Sequence, residues 1–383
     1  MDLAPFPCGR LPGFRRASPS TPLDAYCYVC QTVYGASRWD EFGWAGIGYR
    51  PARPMTAASS DPLARLEAML DLEQTDVPSR RMLVIVNPYA TTVSDRLKNL
   101  VVYALRGRYD VHAVDTEARD HATELCREAA SEGYDVVVAF GGDGTVNEAA
   151  NGLVGSDTPL CCLPGGRANV YCRMLGIPAD VVDATEHLLG MAYDWKPRRV
   201  DVGRVNDRFF TFSAGVGLDA SVVEIVDAHP RLKARLGEWY YTWAAIKTFN
   251  RRYLVRPLRL RAQIGADSVD GVTAIVQNAH PYTYFGDRAV RMAEGAALDS
   301  GDLAGIVLRR ASPLDVPSIG WRALSGRSHV VGHRHVHGYR GVSEVRVTSL
   351  DDRSLPLQVD GDYIGDVGEA VFTCMPKGIL VVS

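Results

Sequence analysis

The succession of apolar and amphipathic segments from Arg81 to Phe140 constrains the fold more than any other feature of this chain. Met82–Val86 is a continuous apolar run, as expected of a strand buried on both faces of a sheet. A predicted helix, a second strand, a second helix and a third strand follow, over residues 94–106, 109–115, 120–132 and 135–140. This alternation predicts a parallel sheet with helices on its faces. In such sheets ligands bind beyond the carboxyl ends of the strands.

From about Arg199 the pattern changes to short alternating strands, interrupted by one predicted helical stretch over about 219–249. This spacing predicts a second, largely antiparallel β domain. Its predicted strands are 199–205, 208–214, 258–264, 272–278, 302–308, 344–349 and 357–359. We therefore divide the 383 residues into an N-terminal extension (1–80), an α/β domain (81–198) and a β domain (199–383). The extension is rich in proline and has no clear hydrophobic period, so we expect it to be flexible.

Charge and composition exclude several classes of protein. The net charge of −3 argues against a general nucleic-acid-binding protein, which needs a surplus of basic residues. No apolar run approaches the roughly 18 residues required to span a bilayer. Met1-Asp2-Leu3 does not open a signal peptide, and the eight cysteines are spread too thinly for a disulfide framework. We therefore expect a cytoplasmic protein whose association with a membrane, if any, is peripheral.

The strongest local signal is the sequence Phe-Gly-Gly-Asp-Gly-Thr-Val-Asn-Glu over residues 140–148, between a predicted strand and a predicted helix. Its glycines let the backbone approach a phosphate closely, and the free amides at the start of the helix favour an anion. Thr145 is placed to cap that helix. Asp143 would repel phosphate unless a Mg²⁺ ion or a hydrogen-bonded hydroxyl lies between them. The loop therefore predicts a site for nucleotide phosphates.

This loop also carries a resemblance to known families. Residues 141–148 resemble the GGDGTxNE loop of diacylglycerol kinases, sphingosine kinases and bacterial lipid kinases, and NAD kinases and phosphofructokinases carry related loops. Further segments favour the diacylglycerol kinase family and occur in its order: Val86-Asn87-Pro88, Thr116, Leu163–Asn169, Ser213–Ala220 and Leu357–Asp362. The resemblance covers about residues 81–383. It implies an α/β nucleotide-binding parallel-sheet domain like that of NAD kinases and phosphofructokinases, then an antiparallel β-sandwich domain, with the active site between them.

The resemblance implies ATP as the phosphate donor, together with Mg²⁺, and it assigns ATP contacts to four loops. The implied residues are Asn87, Pro88, Thr116, Gly141, Gly142, Asp143, Gly144, Thr145, Asn147, Glu148, Gly166, Arg167 and Asn169. Two positions depart from the family pattern, because Arg167 stands where threonine is usual and Val170 where aspartate is usual. A guanidinium is well shaped to contact phosphate, so we expect Arg167 to contact the nucleotide.

Phosphoryl transfer also requires a base for the acceptor hydroxyl. Asp360 and Asp362 flank Gly361 directly after a predicted strand, and on sequence alone a plain Asp-Gly hairpin turn explains them better. The resemblance implies instead that this turn is catalytic. We expect Asp362 to be the base, Asp360 to support it, and Asp143 to act on the bound phosphate and metal.

A second Mg²⁺ site is implied by the resemblance at residues 298–302, where Asp299 and Asp302 are the candidate ligands. An ordinary turn between strands explains this segment equally well. The alternating His333, His335 and His337 would share one face of a strand, which we expect to be solvated rather than to bind a metal.

The resemblance implies a lipid acceptor at a membrane surface. The predicted helical stretch contains Trp239–Trp243 and Phe249 among basic residues, which suits either the protein core or a membrane interface. A homodimer is left open, since no sequence feature argues for or against one.

Two other functions remain open at this point. One is an NAD kinase acting on a soluble acceptor, in which case the turn at Asp360–Asp362 has no assigned role. The other is a nucleotide-binding regulator without catalytic activity, which the departures at Arg167 and Val170 would allow.

Overall fold

The computed structural model describes residues 80–89, 94–229, 244, 257–310, 312 and 314–383, all of which lie in one compact unit. The predicted N-terminal extension, except Arg80, and the aromatic segment 239–249, except Ala244, lie outside the described residues. The predictions made for them are therefore untested.

The described elements alternate between strand and helix as far as residue 191 and are mostly strands afterwards. The helices are α1 (Asp95–Leu105), α2 (His121–Ser131), α3 (Asp143–Leu153), α4 (Val170–Met174), α5 (Val181–Met191), α6 (Leu218–Asp227) and α7 (Val316–Ser325). The strands are β1 (Arg80–Val86), β2 (Tyr109–Asp115), β3 (Val136–Gly141), β4 (Leu160–Pro164), β5 (Arg198–Val205), β6 (Arg208–Phe210), β7 (Ser213–Gly217), β8 (Leu260–Ile264), β9 (Asp267–Gly271), β10 (Thr273–Gln277), β11 (Thr283–Phe285), β12 (Arg288–Val290), β13 (Leu303–Leu308), β14 (Val336–Val342), β15 (Glu344–Ser349), β16 (Leu355–Val359), β17 (Asp362–Val367) and β18 (Glu369–Val381).

The N-terminal half is the parallel array β2-β1-β3-β4, which confirms the predicted α/β fold. Residues 82–86 of β1 and all of β3 are buried, whereas the edge strand β2 is partly exposed. Helix α1 packs with α5, and α2 packs with α3. Burying each large aliphatic side chain of β1 and β3 contributes about 1.5–3 kcal/mol, so burial stabilises these two strands more than the partly exposed β2.

The C-terminal half contains a six-stranded antiparallel sheet in the order β14-β13-β10-β7-β16-β17, which confirms the predicted β-sandwich. Its inner face packs against strands of the first sheet over a common apolar core that includes Phe210 and Phe372. The rings of these two residues meet edge to face, with their centroids 6.4 Å apart. The turn between β16 and β17 contains Asp360 and Gly361, so the sandwich supplies the acidic turn singled out in the sequence.

The last strand, β18, joins the two halves and was not predicted from the sequence. It pairs parallel with β4 at Leu160 and antiparallel with β5 and β15, so that the first sheet has ten strands of mixed direction. Pro376 and Gly378 interrupt its apolar pattern, and the pairing with β5 has an irregularity between Met375 and Ile379. The proposed domain boundary at residue 198 falls at the start of β5 and stays a prediction.

The predicted solvated face of histidines is wrong for His333. The strand begins only at Val336, and a 3₁₀ turn over Val330–Gly332 directs the preceding chain inward. His333 is buried and lies 3.6 Å from a carboxylate oxygen of Asp315, and His335 lies 3.7 Å from the other oxygen. In the part of the chain that the structure describes, no helix is both long and apolar enough to cross a membrane.

Candidate active site

The glycine loop leads from β3 directly into α3, at the carboxyl edge of the parallel strands. Gly142 is the N-cap of α3, and the helix starts at Asp143. A Cβ on Gly141 would overlap the side chain of Thr145, so the loop requires glycine there. The predicted capping role of Thr145 is wrong, because this residue already lies in the first turn of the helix. Its Oγ1 instead accepts a hydrogen bond from Asn87 Nδ2 at 3.0 Å.

The loops after β1 and β2 lie beside the glycine loop. The backbone amide of Asn87 donates to Phe140 O at 3.0 Å, and that of Thr116 donates to Val86 O at 2.9 Å. Pro88 is exposed, and its carbonyl accepts a hydrogen bond from Lys98 Nζ at 2.9 Å. The structure therefore brings together Asn87, Thr116 and the glycine loop at one edge of the sheet.

The loop after β4 touches the glycine loop along its backbone. Gly165 N donates to Gly141 O at 2.8 Å, and a Cβ on Gly166 would come within 2.7 Å of Gly142 Cα. Asn169 closes this second loop, since its Oδ1 accepts from Gly166 N at 2.9 Å and its Nδ2 donates to Gly166 O at 2.7 Å. Arg167 is exposed at the tip. The two glycine-containing loops thus form one continuous surface.

Asp143 links the two loops. Its Oδ1 accepts a hydrogen bond from the amide of Tyr171, at the start of α4, at 3.1 Å. Burial raises the pKa of the Asp143 carboxyl to about 6; the charges of Asp360 and Asp362 act in the same direction, while hydrogen bonds from the amides of Tyr171 and Val170 oppose the shift. The side chain therefore changes charge near neutral pH, close to the proposed phosphate site.

Asp360 is the most extensively hydrogen-bonded carboxylate near the loops. Its Oδ2 accepts from Thr211 N at 2.7 Å, Thr211 Oγ1 at 2.9 Å and Asn147 Nδ2 at 2.8 Å. Its Oδ1 accepts from Phe212 N and Ser213 N, each at 3.0 Å. Burial raises the pKa of this carboxyl, and the hydrogen bonds oppose that shift by favouring its ionised form. With 3% of its surface exposed, Asp360 is placed to anchor the turn rather than to contact an acceptor.

Asp362 lies two residues further on and faces the glycine loop. Asp360 has a φ of 48° and Gly361 a φ of 86°, left-handed conformations that aspartate tolerates and glycine favours. They turn the chain so that the Asp362 carboxylate rests on Gly144, where an added Cβ would overlap its Oδ2. Asp362 is partly exposed. The sandwich thus places one carboxylate directly against the glycine loop.

A chain of hydrogen bonds supports this turn from behind. Gly361 N donates to Gln358 Oε1 at 2.9 Å, and Gln358 Nε2 donates to Asp219 Oδ2 at 2.8 Å. Tyr282 Oη donates to Asp219 Oδ1 at 2.6 Å. Burial raises the pKa of Asp219, although both hydrogen bonds favour its ionised form. Gln358 and Asp219 belong to segments of the sequence that resemble the family, but no role was predicted for them.

The side chain of Asn147 forms hydrogen bonds within the protein. Its Nδ2 donates to Asp360 Oδ2 at 2.8 Å and to Phe209 O at 2.9 Å, and its Oδ1 accepts from Arg208 Nη2 at 3.1 Å. Groups of the sandwich thus occupy the hydrogen-bonding atoms of this side chain, and the predicted contact of Asn147 with ATP stays a prediction. The backbone oxygen of Glu148 accepts from Thr123 Oγ1 at 2.8 Å, and the predicted role of the Glu148 side chain stays a prediction.

The predicted second metal site at residues 298–302 directly precedes β13. Asp299 is exposed, whereas Asp302 Oδ1 is buried without a hydrogen-bond partner among the residues that the structure describes. The nearby Asp201 accepts from Gly301 N at 2.6 Å and from Lys377 N at 2.7 Å. Within the described ranges, no group of three or more His, Cys, Asp or Glu side chains is placed to hold a metal ion. A cation here would need backbone carbonyls as ligands, and the metal role of Asp299 and Asp302 stays a prediction.

Comparisons with known proteins agree with this arrangement. Residues 81–205 match the diacylglycerol kinase catalytic domain, and residues 212–383 match the YegS C-terminal NAD kinase beta sandwich-like domain. A diacylglycerol kinase of Staphylococcus haemolyticus (strain JCSC1435) is 26% identical over 292 residues, covering 74% of this chain and 84% of that protein. A diacylglycerol kinase of Staphylococcus aureus (strain MRSA252) is 27% identical over 292 residues, covering 75% and 87%.

The fold is similar to that of solved structures from Bacillus anthracis str. Sterne. One crystal structure of a diacylglycerol kinase has a TM-score of 0.57 at 19% identity and covers 80% of this chain and 97% of its own. A second structure from that organism has a TM-score of 0.62 at 21% identity with the same coverage. The two domain matches follow one another over most of the chain and confirm the resemblance found in the sequence: the chain belongs to the family of proteins with a diacylglycerol kinase catalytic domain.

Proposed function

We propose that this protein transfers the γ-phosphate of ATP to a hydroxyl of a lipid, such as diacylglycerol or a sphingoid-like base. The observation that carries the proposal is the position of Asp362, whose carboxylate reaches from the sandwich onto Gly144 of the glycine loop. A general base must lie within hydrogen-bonding reach of the hydroxyl it deprotonates. Asp362 meets that requirement for an acceptor held against a γ-phosphate on the loop.

The loops support the donor side of the reaction. We infer that backbone amides at the start of α3 hold the phosphates and that the glycines at 141, 142, 144 and 166 keep side chains out of this space; ATP would arrive with Mg²⁺ to offset the charge of the phosphates. We infer that Asn87, Thr116 and Arg167 contact the nucleotide from the surrounding loops. Asp143 joins the two glycine-containing loops, so that its charge influences the phosphates at short range.

The transfer itself moves one proton and exchanges one phosphorus–oxygen bond for another. The acceptor oxygen forms a bond to the γ-phosphorus, the bond between that phosphorus and the bridging oxygen breaks, and ADP leaves. Asp362 accepts the hydroxyl proton. Asp360 does not take part directly, because protein groups already donate five hydrogen bonds to its two oxygens.

The relatives named diacylglycerol kinase support a lipid acceptor. We infer that the protein works in the cytoplasm and meets this acceptor at a membrane surface. A second candidate, transfer to NAD, is favoured only by the relation of the sandwich match to NAD kinases.

One experiment separates these functions. The full-length protein is supplied with γ-labelled ATP, Mg²⁺ and, separately, diacylglycerol, a sphingoid base or NAD, and the labelled product is identified. We expect label on a lipid, and loss of that label in Asp362→Asn. Label on NAD alone would replace the proposal with the NAD kinase function. ATP binding without any labelled product would support a catalytically silent regulator.

A further inference from the structure

Helix α7 exposes apolar side chains on the face that does not pack against the described part of the protein. Ala323 is buried in a core cluster, and Ile319 packs against the same cluster. Trp321 is 57% exposed and Leu324 is 37% exposed, while Leu314, just before the helix, is 87% exposed. At about 100° per residue, positions 321 and 324 lie about 60° apart; Trp321 lies about 160° from Ala323, and Leu324 lies about 100° from it on the flank of the helix. We call Leu314, Trp321 and Leu324 the apolar ridge.

The sequence around the ridge is strongly basic. Residues 309–343 contain six arginines and one aspartate, a formal excess of five positive charges in a chain whose net charge is −3. The single aspartate, Asp315, is buried and lies 3.2 Å from Arg334 Nη2. Arg309 and Arg310, which precede the helix in the sequence, and Arg327, which follows it, are exposed. An apolar ridge flanked by arginines is complementary to a surface that is apolar inside and anionic outside.

We propose that α7 is a docking surface for an anionic lipid bilayer, a proposal that rests on the proposed lipid kinase function. Tryptophan and leucine would enter the boundary between headgroups and acyl chains, and the arginines would contact anionic headgroups.

The docking surface is connected to the two glycine-containing loops through the β11–β12 hairpin. Arg291 N, after β12, donates to Ala323 O of α7 at 2.9 Å. On the other side, Arg173 Nη1 of α4 donates to Gly286 O in the hairpin at 3.0 Å, and its guanidinium lies 4.6 Å from the ring centroid of Tyr284. Helix α4 directly follows the loop that contains Gly166. Docking through α7 would therefore hold the two glycine-containing loops at a fixed distance from the bilayer.

The test is the binding of the full-length protein, without ATP, to vesicles of phosphatidylcholine alone or mixed with phosphatidylglycerol, measured by co-sedimentation. We expect binding to the mixed vesicles, weaker binding to the neutral ones, and about a tenfold loss of affinity in Trp321→Ala. The matched control is Tyr103→Ala on α1, since Tyr103 has the same exposed fraction of 57%. A second pair compares Arg310→Gln with Arg106→Gln, both at exposed positions. Only the change at Arg310 should weaken binding to the anionic vesicles.

Three results would overturn the inference: no vesicle binding by the wild type, equal losses in Trp321→Ala and Tyr103→Ala, or a dimer that dissociates in Trp321→Ala while vesicle binding is unchanged. Kinase activity is measured in parallel on a short-chain diacylglycerol dispersed without vesicles. If the docking surface is correct, Trp321→Ala keeps the wild-type rate on this acceptor and loses rate on vesicle-borne diacylglycerol. Absence of activity on both acceptors, with the vesicle results as expected, would count against the kinase function alone.

Discussion

Replacing each of the two turn aspartates with asparagine should separate anchoring from catalysis. Asparagine keeps the size of the side chain and tolerates the left-handed conformation of Asp360, so the backbone need not move. In Asp360→Asn, one of the two oxygens becomes an NH₂ group that faces donors. In either orientation of the amide, at least two hydrogen bonds are lost.

The structure gives the size of this effect. A buried donor without an acceptor costs about 1–3 kcal/mol, so Asp360→Asn should lower the free energy of unfolding by about 2–6 kcal/mol. Asp362→Asn alters a partly exposed side chain and should lower it by less than about 1 kcal/mol. The order reverses for catalysis, where Asp362→Asn should keep ATP affinity and lower kcat at least about a hundredfold, the usual contribution of a general base.

Urea denaturation and steady-state kinetics at saturating ATP measure the two quantities. If Asp360→Asn proves too unstable to isolate, Thr211→Val removes one donor to the same carboxylate and should show a smaller loss of stability. The reasoning is refuted if Asp360→Asn is as stable as the wild type and inactive while Asp362→Asn is active. In that case Asp360 would be the base.

The remaining predictions concern the loops. Gly144→Ala should lower kcat more than about tenfold with little loss of stability, because the new Cβ displaces the Asp362 carboxylate. The control is Gly190→Ala, where no described atom lies within 4 Å of the new Cβ, and equal effects of the two changes on kcat would contradict the reasoning. The pKa of Asp143, raised from 3.8 to about 6, means that the folded protein holds a proton that the unfolded chain releases between these values. The free energy of unfolding of the wild type should therefore fall by about 2–3 kcal/mol relative to Asp143→Asn as pH rises through this window, and a constant difference in urea titrations would contradict this. Arg167→Ala should raise the KM for ATP about tenfold and Arg167→Thr less, whereas an unchanged KM in both variants would mean that Arg167 does not contact phosphate.

Local patterns in the sequence were sufficient to predict the parallel sheet and the loop that follows its third strand. The second strand was predicted over Tyr109–Asp115, which is the range observed, because the sequence pattern changes at both of its ends. The sequence pattern did not predict β18, because Pro376 and Gly378 interrupt its alternation of apolar residues. The strand accommodates them through an irregularity in its pairing with β5. The contacts of Asn147 could not be predicted either, since nothing local indicates that Arg208 and Asp360, 61 and 213 residues away, form hydrogen bonds with its side chain.

The same long-range contacts explain why the acidic turn could not be interpreted from sequence alone. An Asp-Gly turn is ordinary in a hairpin, and its own residues supply only the left-handed conformations that Asp360 and Gly361 adopt. Its placement comes from β6 and β7, whose connection donates three backbone amides to Asp360, and from Asn147 of α3, which joins that carboxylate to the phosphate loop. Because the donors come from both halves of the molecule, the distance between Asp362 and Gly144 depends on the sandwich and the α/β half being folded together. A change that weakens the contact between the sandwich and the α/β half should therefore lower kcat before it lowers the affinity for ATP. The two glycine-containing loops belong to the α/β half, whereas the proposed base belongs to the sandwich.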